Sequence, residues 1–431
     1  MLRIHTAGKE ASLFADSSVY LASNFVTAFL SLALLPVLTR YLSPAEYGEA
    51  GMFVTLVSMC AGFVGLNGTA ASARRHFDAL PQIEFAAFMG ACVQIVAASA
   101  VLLLAVFFVF RHPLSGLMGL DKGWLAWAVV VSSCAVLVQL IQTQWQVRGA
   151  VRAAAVQQIS EALVITLLSL LLVVVFKQGG AGRIAAIILS SVVFAVLAIL
   201  LMYRMDLLRI GTWHPKHIGY VLKFGVPLVP HVVAAYMLTV ADRIVVSAEL
   251  GLTQAGIYML AAHVAQVPAL VFDGINKAYA PWLFNRLNNC APHDKRRIVR
   301  YTYAWFSLLL LGGWLAFYMG PWAVLLVAGG SFVTAGAVIG WLLLGQMFAG
   351  MYLMVTNYVF YAKRTGLLSV VTVASALLNI ALLLILTPRL GIEGAGIAFS
   401  LSMGARFLLT WWVAHRSFPM PWFTPFAGRA G

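Results

Sequence analysis

Residues 184–203, IAAIILSSVVFAVLAILLMY, run for 20 positions without a charged side chain and are bracketed by Arg183 and Arg204. A helix of that length rises about 30 Å, the thickness of a bilayer's hydrocarbon core, and satisfies every backbone polar group within itself. Outward from this stretch lie eleven comparable runs, at 18–38, 48–66, 85–110, 124–146, 156–176, 222–244, 255–275, 301–319, 335–360, 367–386 and 395–413. The segment after Met319, GPWAVLLVAGGSF, is too short to cross and is expected at the interface or in a hairpin. Composition agrees: the 431 residues are 62% hydrophobic and 10% charged, with a mean hydropathy of +0.92. Water-soluble chains carry about 25% charged residues. The expected fold is an all-α polytopic membrane protein of about twelve transmembrane helices in two six-helix lobes, 1–210 and 211–431. Little chain remains for a soluble domain, so an enzyme is not expected.

The net charge of +14 would suggest nucleic acid as a partner in a soluble protein, but here Lys and Arg cluster between the apolar runs, where they set topology and meet anionic lipid headgroups. With the N-terminus inside, nineteen Lys and Arg fall on the inner side and seven on the outer, which places both termini in the cytoplasm. The N-terminus is polar ahead of its first apolar run and reads as a retained first helix rather than a signal peptide. Cys60, Cys92 and Cys134 lie in apolar runs and Cys290 stands alone, giving neither a disulfide framework nor a metal spacing.

Three outer connections echo one another: Leu42-Ser43 before Gly48, Leu250-Gly251 before Gly256, and Leu390-Gly391 before Gly396. A glycine at the start of the next helix allows a tight turn and close helix contact. Repetition at about half the chain length fits two related six-helix halves, an arrangement common in transporters; the abundance of Leu and Gly is the competing explanation.

Polar side chains in hydrocarbon are costly and mark candidate sites. Arg406 sits about 10 Å inside helix 12 with Ser402 and Thr410 on its face, either facing a cavity or snorkelling to headgroups. Asp273 and Lys277 share a face of helix 8, as a static ion pair or as a pair that opens when phosphate claims Lys277. Arg74 and Arg75 are further cations for a substrate. Glu161, beside Gln157 and Gln158, is a candidate proton carrier or a counter-ion for Arg148 or Arg152. Ser132, Gln139, Gln142 and Gln146 make one stripe on helix 4, and Gln346, Gly350, Asn357 and Tyr361 another on helix 10. These suit sugar hydroxyls or interhelical hydrogen bonds. Pro227 and Pro230 are expected to kink helix 7 as a hinge; Asp242-Arg243 near its outer end reads as a boundary anchor, with Arg243 a gate candidate.

Longer strings carry a family likeness. LPVLTRYLSPAEYGEAGMF (35–53), FGVPLVP (224–230), ADRIVVSAELGLTQAGIYMLA (241–261), INKAYAPWLF (275–284), NYVFYAKRTG (357–366) and LLNIALLLILTPRLGIEGAGIA (377–398) follow in order. They resemble the Wzx-like polysaccharide-biosynthesis flippases of the multidrug/oligosaccharidyl-lipid/polysaccharide exporter superfamily. The resemblance implies a V-shaped, twelve-helix transporter with a cationic central cavity. Its cargo would be an undecaprenyl-diphosphate-linked oligosaccharide for O-antigen or exopolysaccharide synthesis, moved from the cytoplasmic to the periplasmic leaflet of the bacterial inner membrane. It implies no cofactor, coupling to a proton or sodium gradient in some members, and a polysaccharide polymerase or assembly complex as a partner. The strings mark a fold and transfer no role to a residue. A drug or organic-cation antiporter of the same superfamily is the alternative, though the in-span charges Arg406, Lys277, Glu161 and Asp273 are balanced rather than acidic. A membrane polymerase or glycosyltransferase would be expected to carry a larger outer loop.

Overall fold

The computed structural model describes residues 4–422 apart from 79, 210, 212, 289–291 and 329. Arg3, Cys290 and Arg429 lie outside the described residues. Among the described residues every regular element is helical, with three short 3-10 turns and one π-helical turn. The chain divides into two compact units, Met1–Val240 and Ala241–Gly431.

In the first unit α1 (Ile4–Tyr41) passes to α2 (Pro44–Ala61) through Leu42 and Ser43. Ser43 Oγ accepts from the Glu46 backbone N–H at 3.3 Å, Glu46 Oε2 accepts from the Ser43 N–H at 2.8 Å, and Pro44 opens the helix. This reciprocal cap lets the chain reverse in two residues. A 3-10 turn, Val64–Asn67, then separates α2 from α3 (Gly68–His76). The unit continues through α4 (Gln82–Val109), α5 (Arg111–Met118), α6 (Lys122–Val147) and α7 (Val151–Ser169) with its π-helical end Leu170–Val175. It closes with α8 (Gly179–Arg204), α9 (Pro215–Gly225), the 3-10 turn Val226–Leu228 and the start of α10 (Val229–Ala265). Phe88, Met89, Leu140, Ile141 and Met202 fill its core.

The division at 240/241 falls beyond the expected 210/211 because α9 packs into the first unit: His217 meets Phe88 edge-on at 5.8 Å, and Arg75 lies 4.8 Å above the Tyr220 ring.

The second unit holds the rest of α10, then α11 (Val267–Asn288), α12 (Pro292–Val327), a 3-10 turn Gly330–Ala335, α13 (Gly336–Tyr361) and α14 (Thr365–Ser417). Its core gathers Met351, Val355, Tyr358, Phe407 and Trp422. The stretch after Met319 is not a hairpin: α12 runs on through Pro321 to Val327. Close contacts hold it on α13, since a Cβ at Gly320 would meet Ile339 Cγ2 at 2.7 Å and one at Gly336 would meet Pro321 Cβ at 3.3 Å.

Among the described residues nine helices are long and apolar enough to cross a membrane, ten with the bent pair made by α2 and the Val64–His76 segment. Two of them, Thr239–Asn288 and Gly366–Ser417, run for 50 and 52 residues, about twice what a crossing needs. Each is broken by a glycine whose backbone is not helical: Gly251 has φ 82° and ψ 171°, Gly391 φ 63° and ψ −145°. Counted as two crossings apiece, the first of them beginning at Val229 of α10, and with the bent pair as one, they match the twelve runs of the sequence. Gly396, five residues beyond Gly391, sits against α13, where a Cβ would meet Val338 Cγ2 at 2.6 Å. Exposed Leu102, Val109, Leu200, Leu326 and Leu384 complete an apolar exterior suited to lipid. The molecule is a multi-pass membrane protein.

Candidate functional site

In the first unit the second crossing is bent by 47° at the α2–α3 break. Three consecutive residues there, Gly65 (φ 71°), Leu66 (φ 45°) and Asn67 (φ 58°), are left-handed, so the backbone loses its own helical partners in mid-crossing. Within hydrocarbon such a break survives only where protein groups satisfy it. Ser99 Oγ on α4 accepts from the Gly65 N–H at 2.9 Å, and Asn67 Nδ2 donates to the Gly225 carbonyl at 3.2 Å. Gly225 ends α9 directly against the Leu66 carbonyl, an approach open only to a residue without Cβ. Pro227 lies in the 3-10 turn that follows, and Pro230 is the second residue of α10. A 3-10 turn at Val226–Leu228 thus separates α9 from α10, and it abuts an interruption in helix 2 that has no proline to announce it.

The cations near this break differ in setting. Arg74 is exposed, whereas Arg75 is half-buried, donates to Asp78 Oδ2 at 2.9 Å and lies over Tyr220, which stacks on Phe224 with 6.5 Å between centroids. On α6, Gln139 and Gln146 are exposed and Gln142 half-buried. The amide that sequence reasoning passed over is Gln144: fully buried, it donates to Ser72 Oγ of α3 at 3.2 Å. Glu161 on α7 is half-buried and forms no ion pair with Arg148 or Arg152, both exposed. One turn earlier Gln158 donates to Asn24 Oδ1 at 2.9 Å, binding α7 to α1, and Gln157 Oε1 is buried without a hydrogen-bond partner.

In the second unit Lys277 Nζ lies 2.6 Å from Asp273 Oδ2, and both side chains are more than half exposed, at 54% and 57%. The pair is formed, but little in its own unit covers it. Arg406 is half-buried with its guanidinium 4.0 Å from the Tyr352 ring centroid, its Nε buried without a hydrogen-bond partner; Ser402 and Thr410 beside it are buried. Asn357 donates to Asn276 Oδ1 at 2.8 Å and Tyr361 to Asn288 Oδ1 at 2.9 Å, so this part of the helix 10 stripe joins α13 to α11. Gly350 serves the same seam, where a Cβ would meet Phe272 Cδ2 at 2.8 Å. Gln346 is half-buried. Tyr258 donates to Asp242 Oδ2 at 2.7 Å across the Gly251 break, and half-buried Arg243 next to it keeps a buried Nε without a partner. Among the described residues no three His, Cys, Asp or Glu side chains gather as a metal site.

The family model for polysaccharide biosynthesis proteins matches residues 13–287, well over half of the chain. The chain belongs to the polysaccharide biosynthesis protein family. A Haemophilus influenzae relative, Lsg locus putative protein 1, is 25% identical over 404 residues, covering 89% of this chain and 95% of the relative. Among solved structures, the lipid II flippase MurJ in an inward-closed conformation superposes with a TM-score of 0.74 at 15% identity, covering 91% of this chain and 86% of MurJ. An inward-facing multidrug-resistance MATE family transporter of the MOP superfamily superposes at 0.63 with 14% identity, covering 90% of this chain and 94% of that one. This polysaccharide biosynthesis protein therefore has the fold of the MOP-superfamily transporters along nearly its whole length.

Proposed function

We propose that this protein is a flippase that carries an undecaprenyl-diphosphate-linked oligosaccharide from the cytoplasmic to the periplasmic leaflet of a bacterial inner membrane, both termini cytoplasmic, for the synthesis of a surface polysaccharide. The observation that carries the reading is the polysaccharide-biosynthesis family match on a fold that a lipid II flippase shares. The chemistry of the in-span side chains supports it. A diphosphate with sugars cannot cross hydrocarbon unaided, and a planar guanidinium grips phosphate oxygens in a bidentate way. Arg406, with a vacant Nε, and Lys277, held only by an exposed partner, are the cations we assign to the headgroup, with Arg75 at the Lys/Arg-rich end. Each half of the chain is taken to move as a lobe, alternating access being the economical route for a repeat-built bundle. Release needs the cations to bind the outward state less tightly than the inward one. Half-buried Glu161 and the Asp273–Lys277 pair are the candidate sites through which a proton or sodium gradient would act. A polymerase or assembly complex in the same membrane is the partner such a carrier would feed.

One observation favours a second reading. Among the described residues Glu161 has no basic partner, and an uncompensated carboxylate in a membrane helix suits an ion-coupled organic-cation antiporter. A leaflet-resolved assay of lipid-linked oligosaccharide in a deletion strain separates the two. Accumulation on the cytoplasmic face, reversed by the wild-type chain, is the expected result; unchanged lipid-linked glycan on both faces with altered drug susceptibility would overturn it.

A further inference from the structure

The bend in helix 2 leaves a gap that α9 does not fill. Along it α4 presents Ile95, Ala98, Leu102 and Val106, spaced by three and four positions, as the floor of an apolar groove of about 660 Å³. Phe63 and Leu66 from the break form one wall, and Leu222 of α9 with Trp213 just ahead of it form the other. The span of α4 from Ile95 to Phe107 alone gives a length of about 18 Å. Ser99, a polar member of the lining, has both its capacities used: its hydroxyl donates to Ile95 O at 2.7 Å and accepts from Gly65 N. The groove is open along one side, with Leu102 67% exposed and Trp213 70% exposed.

One mouth of this groove lies at the Lys/Arg-rich end. The Arg209 N–H donates to Ala86 O at 3.1 Å, which ties the chain leading to α9 onto the first turns of α4. Arg209 and Lys216 are exposed on either side of Trp213, and His214 is half-buried next to it. An amphipathic indole between cations and a hydrocarbon track is the arrangement of a membrane–water boundary. About 660 Å³ spread along about 18 Å leaves a track about 6 Å across, which suits a single chain rather than the paired chains of a bilayer phospholipid.

We propose that this groove seats the isoprenoid tail of the lipid-linked substrate, its anionic head held at Arg209 and Lys216 before it is passed on. The groove would load substrate from the leaflet on the Lys/Arg-rich side and keep the tail in hydrocarbon while the head moves. The inference rests on the flippase reading for the identity of the head and on the groove's own geometry for the tail.

The test uses the purified full chain in nanodiscs of phosphatidylglycerol and phosphatidylethanolamine, with a diazirine-bearing polyprenyl diphosphate as probe and peptide mapping of the adducts. Adducts concentrated on 95–107 of α4 and on Trp213, displaced by unlabelled undecaprenyl phosphate and not by added phosphatidylglycerol, are expected. Ala98→Trp and Leu102→Trp, two independent ways to fill the groove, should each cut that labelling at least about fivefold, while Leu200→Trp on the exposed face of α8 leaves it intact. Adducts spread evenly over α4 and α8, equal displacement by phosphatidylglycerol, or unchanged labelling in folded Ala98→Trp and Leu102→Trp would overturn the groove. The leaflet assay keeps the two ideas apart. Groove labelling without translocation supports the groove and overturns the flippase, whereas translocation without groove labelling supports the flippase and overturns the groove.

Discussion

Asn67 and Gly225 are 158 positions apart in sequence, yet the Asn67 amide donates to the Gly225 carbonyl at 3.2 Å and fastens the break in helix 2 to the end of α9. Asn67 also holds φ 58°, a conformation that Asn and Gly adopt with little strain. Asn67→Ala loses both the bond and that tolerance and is expected to cost about 1–3 kcal/mol, read as a lower thermal midpoint in detergent. Asn67→Gly keeps the backbone freedom and should recover part of the loss. Equal midpoints for wild type and Asn67→Ala would show that the contact holds nothing.

Gly225→Ala pushes a methyl group into the Leu66 carbonyl, an atom of backbone that cannot swing away. Gly219, two turns earlier on the same helix, has open space around its Cα. Alanine at 219 is expected to be neutral or to stabilise by up to about 1 kcal/mol, since it favours the helix, while alanine at 225 should lower both thermal midpoint and folded yield. Matching behaviour of the two variants in size-exclusion profiles and melts would contradict the close approach.

Tyr258→Phe removes the hydroxyl that bonds Asp242 across the Gly251 break and leaves the carboxylate without that donor. A loss of about 1–3 kcal/mol is expected, with wild-type stability recovered when Asp242→Asn is added only if the carboxylate's charge is the source of the cost. The measurement is a double-mutant cycle on thermal stability.

His217 lies ahead of the apolar run of helix 7, buried against Phe88 and 5.4 Å from His214. Burial, then the neighbouring His214, holds its pKa below the usual value, with Arg75 acting in the same direction and Glu84 opposing. The folded state therefore binds this proton less readily than the unfolded chain does. Stability from the neutral ring is present above about pH 6.5 and is lost as pH falls through that unfolded value toward the lower folded one. Thermal midpoints should drop between pH 7.5 and pH 5.5, and His217→Gln should flatten the drop.

Arg406→Ala and Lys277→Ala test the cations assigned to the headgroup. A charge-assisted bond to phosphate is worth about 1.5–3 kcal/mol, so removing one should slow translocation by about tenfold or more in the leaflet assay. Unchanged rates in both variants, at normal membrane insertion, would withdraw the assignment.

Much of this architecture is legible in the sequence. The length of each apolar run measures hydrocarbon thickness directly, and the Leu-Gly pairs at 250–251 and 390–391 mark where the chain turns. The side-chain environments were less legible because they depend on helix rotation and on neighbours remote in sequence. Gln142 and Gln144 are two positions apart, about 200° around a helix, and only the second meets Ser72. Composition did not reveal the helix 2 break either: Leu66 is an ordinary helix former, held left-handed by tertiary contacts with Ser99 and Gly225 around it.

The turns at Gly251 and Gly391 contain no slack. Each is a single residue joining two long helices. Topology reporters, affinity tags or epitopes inserted there would have to unwind a helix before they could reach water. Labelling strategies for this protein should therefore be built from the far ends of such helices, such as the connection 362–364 between α13 and α14, where an added peptide displaces no helix.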